Sequence, residues 1–369
     1  MDNVTAISTM KSTILKWNLT TSAPNKVAFK IYEEYEAVAF IVVLLSFCAF
    51  GLFANSVTFT AIWKSPKLKS SVFNIFLMSL CVSDFVSAVD SLGVLYRRTW
   101  GFRYWNLPTV FCKLTLAVDL WTTIATIQHV LIFCVLRIIS FKFPTKFGLI
   151  KPSHAKTLVA VIWVETFFFG FLPFFIFPAV KMPPSDLTKP YWYSCAMQQK
   201  WLRSAGMYAF IGFPILIYIP LLMVVVLCLL LIFFILQRRR SKILTQKNRS
   251  AAMQKERSAL IQLGLIAFSF LLGYIPYSAY GLQSIIIRSK GGKLTAHLDW
   301  FLSLFCHTLL RFSECLNPVF YNIASSNIRE ATAKLLIDVF GLTGRRNGKV
   351  AAAPTPHKSK VTTITADQR

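Results

Sequence analysis

Seven apolar runs, each about 20 residues or longer, divide this chain at roughly 37–63, 72–96, 109–138, 156–178, 206–236, 258–287 and 298–322. Crossing about 30 Å of hydrocarbon at 1.5 Å per residue takes a run of that length. Each run therefore reads as a membrane span. Each reads as helix, because no other open structure satisfies its own backbone hydrogen bonds in lipid. Hydrophobic residues make up 55% of the 369, and charged residues only 15%, too apolar a balance for a soluble protein of this size. The expected fold is all-α: a seven-transmembrane helix bundle over 37–322, after an outer segment 1–36 and before an amphipathic helix 323–340 and a disordered tail 341–369.

The formal charge is +25, and its placement matters more than its size. Basic residues crowd the connections after the first, third and fifth spans: Lys64, Lys67 and Lys69; Lys142, Lys146, Lys151 and Lys156; then QRRRSKILTQKNR with Lys255 and Arg257. The tail adds Arg345, Arg346, Lys349, Lys358 and Lys360. By the positive-inside rule these segments face the cytoplasm and the N-terminus lies outside. The opposite connections carry some Lys and Arg too, so the bias is one of degree. Solvated loops beside anionic lipid account for the basic excess. Nucleic-acid binding is excluded as a reading, since no basic, aromatic-interleaved domain lies outside the membrane.

Two glycosylation sequons, Asn3-Val-Thr5 and Asn18-Leu-Thr20, fall on the outer side. The polar leader lacks the apolar core of a cleavable signal peptide, so the first span is expected to direct its own insertion. Of eight cysteines, Cys48, Cys81, Cys134, Cys228, Cys306 and Cys315 lie within spans and read as small apolar residues. Only Cys112 and Cys195 lie at outer positions, where the compartment is oxidising, and a disulfide between them is expected.

An ordered series of motifs runs through the spans. It comprises Asn55 in GLFANSVT, Leu80 and Asp84 in LMSLCVSDF, Trp100 to Phe102, Cys112, Arg137 and Pro144. Trp163, Pro173, Pro220, Pro276 and Asn317-Pro318-Val319-Phe320-Tyr321 follow. With these spacings the chain resembles the rhodopsin-like (class A) G-protein-coupled receptors over roughly 36 to 339, without pointing to a subfamily. The resemblance implies a plasma-membrane, multi-pass receptor that passes an extracellular signal to a heterotrimeric G protein, with arrestin and membrane lipids as further partners. It also implies a sodium ion near Asp84, Asn317, Ser313 and Thr126, with Asn55 close by; a hydrogen-bond network without an ion is the alternative. No other cofactor is expected.

Switch positions follow from the same resemblance. Arg137 is the family's G-protein contact, Glu256 its restraint, and Tyr321 and Pro318 belong to the Asn-Pro-x-x-Tyr motif. Ile127, Pro220 and Phe270 match a packed trio linking ligand pocket to helix movement. Proline removes a helical hydrogen bond, so Pro220, Pro276 and Pro318 mark bends. Two departures stand out. The family's Asp/Glu-Arg-Tyr reads Leu136-Arg137-Ile138 here, removing one ionic partner of Arg137. The family's Cys-Trp-x-Pro reads Gly273-Tyr274-Ile275-Pro276, which keeps an aromatic pocket floor but adds a hydroxyl.

Arg311 and Glu314 interrupt the last span. An unpaired charge at that depth is unfavourable, so Arg311 needs a carboxylate. Asp119, at matching depth on the third span, is the favoured partner; Glu314, three residues on, competes; a network of all three is the third arrangement. Glu314 is also a candidate second acid near Asp84. The family's amine receptors capture an ammonium at the position of Asp119, and an adjacent arginine opposes that. The family's opsins carry their retinal lysine at the position of Arg311, and a guanidinium does not form a Schiff base. A ligand with both charges or an acidic group, such as a peptide, fits better, with Trp121, Tyr274 and Tyr277 lining the cavity.

The loop 179–205, with KPYWYSCAM, alternates like a hairpin over the entrance, though an interfacial aromatic belt explains it equally. After Tyr321, Ile328, Leu335, Leu336, Val339 and Phe340 give a helix able to lie on the membrane. An enzyme is not expected, since the five histidines form no metal-spaced group. The alternatives to a peptide receptor are a biogenic-amine receptor, a non-signalling decoy, or a polytopic transporter or channel.

Overall fold

A computed structural model describes residues 31–181, 193–243, 250–289 and 294–341. The glycosylation sequons at Asn3 and Asn18 and the tail from 342 lie outside the described residues, and so does the side chain of Glu256. Seven membrane-length helices form the bundle. They are α1 (Glu34–Lys64), α2 (Val72–Arg98), α3 (Thr109–Lys142), α4 (Pro152–Ile176), α5 (202–243), α6 (Ser250–Ser289) and α7 (Ala296–Ala324), and α8 (Ser326–Val339) follows. Each contains most of the run expected for it, and α5 begins four residues earlier than 206.

Local chemistry sets several helix starts. Thr295 Oγ1 accepts from the Leu298 amide at 3.3 Å, and Ser325 Oγ from the Ile328 amide at 3.4 Å, each satisfying an amide that the first turn leaves without a partner. Pro152 opens α4, where its missing N–H is no loss. Prolines deeper in the helices act differently. A π turn at Phe167–Phe171 precedes Pro173 in α4, and another at Pro214–Tyr218 precedes Pro220 in α5. Each wider turn accommodates the hydrogen bond its proline cannot make. Tyr208 of α5 donates its hydroxyl to the Phe169 carbonyl, inside the first π turn.

Helix α3 runs through the middle and packs on α2, α4, α5 and α6, while α7 packs on α6, α1 and α2. Large apolar side chains such as Phe50, Phe168, Phe210 and Phe233 face outward, as lipid contact requires. The polar exceptions sit inside. The Trp163 indole donates to Ser79 Oγ at 2.9 Å, and that oxygen lies 2.7 Å from His129 Nε2, joining α4, α2 and α3. Helix α8 lies against α1 and buries Ile328 and Leu335, leaving Val339 and Phe340 exposed.

On the outer side Cys112 and Cys195 are bridged. Strands β1 (Pro178–Val180) and β2 (Cys195–Met197) pair antiparallel, with Pro178 opposite Met197, so the described part of the loop is a hairpin. The loop after α2 holds it down. The Ser194 amide donates to the Phe102 carbonyl at 3.0 Å, Ser194 Oγ donates to the Gly101 carbonyl at 2.5 Å, and the Phe102 and Tyr193 rings lie 4.6 Å apart.

Candidate functional site

Below the hairpin an outer cavity of about 160 Å³ opens between α2, α3, α5, α6 and α7. Its charged and polar walls include Arg97, Arg98, Asp119, Tyr277, Tyr280 and His307. A clasp lies across the mouth. Tyr193 donates its hydroxyl to Asp299 Oδ2 at 2.6 Å and accepts from Arg98 at 3.0 Å, while Tyr280 donates to Asp299 Oδ1 at 2.9 Å. Arg97 donates from Nε to the Cys195 carbonyl at 3.2 Å. The hairpin, α2, α6 and α7 thus meet in one hydrogen-bonded cluster.

The floor of the cavity is ionic. Arg311, only 2% exposed, gives Nη2 to Asp119 Oδ1 at 3.0 Å and Nη1 to Glu314 Oε2 at 2.6 Å. Both expected acids therefore hold the guanidinium, the third of the arrangements open from sequence. Tyr277 donates to Asp119 Oδ2 at 2.9 Å, so both oxygens of that carboxylate have partners. Tyr274 donates to Glu314 Oε1 at 3.0 Å, and Ser87 to Oε2 at 2.6 Å. Every one of these bonds is charge-assisted, in a setting where an unpaired ion would be strongly destabilising. Tyr274 also stacks on Phe270, with ring centroids 4.4 Å apart.

The expected cavity residues divide. Asp119 and Tyr277 line the cavity, while Arg311 and Tyr274 lie beneath it. Trp121 is a correction: it faces α4, donating to Thr166 Oγ1 at 3.1 Å and packing edge-on against Trp163, Phe167 and Phe171. Its indole follows the aromatic face of α4 because α3 turns that side outward. Arg97, Arg98, Tyr280, Asp299 and His307 are beyond what the motifs pick out, and Tyr193, in the aromatic loop stretch, joins the clasp. Asp299, an acid inside an apolar run, was the legible signal.

Deeper in, Asn317 donates Nδ2 to Asp84 Oδ2 at 3.0 Å. The other two members of the expected ion set are turned elsewhere. Thr126 Oγ1 lies 2.8 Å from Ser83 Oγ, and Ser313 donates back to the Leu310 carbonyl at 2.8 Å. Asn55 donates to the Gly51 carbonyl at 3.0 Å. Short hydroxyl side chains readily bond their own helix backbone, and that competition removes Ser313 from the cluster. Of the expected set, only Asp84 and Asn317 are joined to each other.

At the inner end the Arg137 guanidinium lies over the Phe73 ring, 3.8 Å from its centroid, with Phe133 at 5.0 Å, and Leu136 is buried. Ile127, Pro220 and Phe270 are all buried in the centre of the bundle. Gly273 lets α6 touch α7 there: a Cβ on it would lie 2.2 Å from Ser313 Oγ. Pro318 and Tyr321 are buried on α7.

Comparison with known proteins agrees with this architecture. The chain is 23% identical to growth hormone secretagogue receptor type 1 of Sus scrofa over 297 residues, covering 78% of this chain and 77% of that protein. It is 22% identical to neuropeptides B/W receptor type 2 of Homo sapiens over 328 residues, covering 82% and 88%. A shorter match, 31% over 121 residues, is to the octopamine receptor Oamb of Drosophila melanogaster, covering 32% of this chain and 18% of that one. The family model for the 7 transmembrane receptor (rhodopsin family) matches residues 54–321. The seven-helix bundle and that match together make this multi-pass membrane protein a member of the rhodopsin family of seven-transmembrane receptors.

Proposed function

We propose that this chain is a plasma-membrane receptor, N-terminus outside, that takes an extracellular peptide and activates a heterotrimeric G protein. The observation that carries the ligand class is the Arg311–Asp119 pair. An amine ligand needs a carboxylate it can claim, and both oxygens of Asp119 already have partners. What faces the cavity beside it is the positive pair Arg97 and Arg98. A cavity of about 160 Å³ admits a side chain or a terminus, below the usual range of roughly 300–1,000 Å³ for whole small-molecule sites. The rest of the ligand then lies over the hairpin, as an extended peptide can. The names of the growth hormone secretagogue and neuropeptides B/W receptors support this reading.

Signalling is a shift between two arrangements of the bundle. Ligand contact at Asp119 or Tyr277 acts on Arg311, Glu314 and Tyr274, and through the Tyr274–Phe270 stack on the centre of α6. Arg137 at the inner end of α3 is the residue offered to the G protein, and arrestin would meet the same inner face.

The biogenic-amine reading has two observations behind it, an acid at Asp119 and the short octopamine-receptor match. Nucleotide exchange in membranes from expressing cells decides between the two readings. A peptide library and an amine panel are applied to the wild type and to Arg311→Tyr. Activation of the wild type by amines would overturn the peptide reading. Amine activation of Arg311→Tyr alone would identify Arg311 as the residue that excludes amines. Ligand-free exchange that disappears in Arg137→Ala would separate a signalling receptor from a decoy.

A further inference from the structure

Two carboxylates, Asp119 and Glu314, hold the Arg311 guanidinium in the middle of the bundle, and a third, Asp84, lines the same gap as Glu314 and Arg311. Asp84, Asn55, Glu314 and Arg311 line a single gap between α1, α2 and α7, too narrow for a water-sized sphere. Three polar atoms of these residues are buried without a hydrogen-bond partner among the described residues. Two are acceptors, Asp84 Oδ1 and Asn55 Oδ1, and one is a donor, Arg311 Nε. Orphaned buried groups are uncommon, and these three are of opposite hydrogen-bonding sense. Here acceptors and donor belong to the walls of the same gap.

We propose that Arg311 is the counter-cation of this core, covalently attached, and that no sodium ion regulates the receptor there. Thr126 and Ser313 have turned their hydroxyls to other partners, and one oxygen of Asp84 holds the Asn317 amide. A free cation entering the gap would sit against a guanidinium that stays charged at any ordinary pH. In a medium of low dielectric that repulsion is weakly screened. The side chain also does what an ion would: it neutralises carboxylates from α3 and α7 at once and draws the two helices together. A diffusible ion would make that tie depend on the salt outside, whereas Arg311 makes it permanent.

Thermal unfolding of the purified full chain in detergent tests this without ligand or G protein, so the outcome stands apart from the peptide reading. Chloride salts of sodium and N-methylglucamine are compared at equal ionic strength. A ligand that binds only the folded state raises the midpoint by linkage. The wild type is expected to melt at the same temperature in both salts. Arg311→Met is expected to melt lower and to regain several degrees in sodium alone. If that variant does not fold, Arg311→Met combined with Glu314→Gln, which removes one charge of each sign, gives the same readout. A sodium-specific rise in the wild type would overturn the proposal. So would an arginine-free receptor as indifferent to sodium as the wild type.

Discussion

Tyr274 donates its hydroxyl to Glu314 at 3.0 Å, so the aromatic floor of the cavity on α6 is hydrogen-bonded to the ion network on α7. A tryptophan at this position, as the family pattern has it, could not reach in the same way with an oxygen. The hydroxyl makes α6 a participant in the Arg311 network instead of a wall beside it.

Tyr274→Phe keeps the ring and its stack on Phe270 but leaves Glu314 Oε1 without that donor. The expected loss of stability is about 1.5–3 kcal/mol, the worth of a hydrogen bond to a charged group. Thermal unfolding reads the loss. Ligand-free nucleotide exchange should change in the same variant, and an unchanged rate would separate the floor from the switch.

Glu314 and Asp119 share Arg311 unequally. Glu314 accepts from Arg311, Ser87 and Tyr274, whereas Asp119 accepts from Arg311 and Tyr277 and its side chain is 16% exposed. Breaking a buried pair from one side costs about 3–5 kcal/mol. Glu314→Gln is therefore expected near the upper end and Asp119→Asn below it. A chemical-denaturation series that ranks them the other way would contradict the geometry.

The clasp over the cavity predicts a difference in access. Tyr193→Phe removes the hydroxyl that joins Arg98 to Asp299. A cysteine placed at Ser303, which lines the cavity, should then react faster with a membrane-impermeant thiol reagent on intact cells. Equal rates with and without the hydroxyl would mean the clasp does not gate entry.

Gly273→Ala should be among the more damaging single-methyl changes in the chain. The added Cβ would meet Ser313 Oγ at 2.2 Å and the Leu310 Cα at 3.0 Å, and the second contact is backbone that cannot turn away. Overpacking of this kind costs about 1–3 kcal/mol. Expression level and melting temperature report it, and Gly264→Ala, with nothing near its Cβ, serves as the comparison.

Leu136→Asp offers Arg137 the acidic neighbour it lacks. Ligand-free exchange is expected to fall about fivefold, the effect of about 1 kcal/mol on a two-state balance. Because Leu136 is buried, the variant should also melt lower.

The spans were legible because hydropathy in lipid leaves the backbone one solution. The disulfide was legible from the sidedness of two cysteines. The π turns were not, since Pro173 and Pro220 announce a missing donor but not how the helix absorbs it. Arg311 was visible as a charge needing an acid, but two acids lay within reach and only geometry shows it holding both. The partners of the Thr126 and Ser313 hydroxyls were not legible for a related reason. A serine or threonine chooses between a neighbour and its own helix, and that choice turns on a rotation about one bond that no spacing records. Trp121 followed the same rule at larger scale, its face set by where α4 packs.

The bridge from Cys112 to Cys195 has a meaning for biogenesis. The two cysteines stand 83 residues apart, with all of α4 between them. In the orientation proposed above, the bond closes only after α4 has been threaded inward to outward and the hairpin has reached the lumenal side of the translocation site. A nascent chain with α4 left behind would hold Cys195 among reducing thiols. The linkage therefore certifies the topology of α3 and α4 and needs none of the four helices that follow.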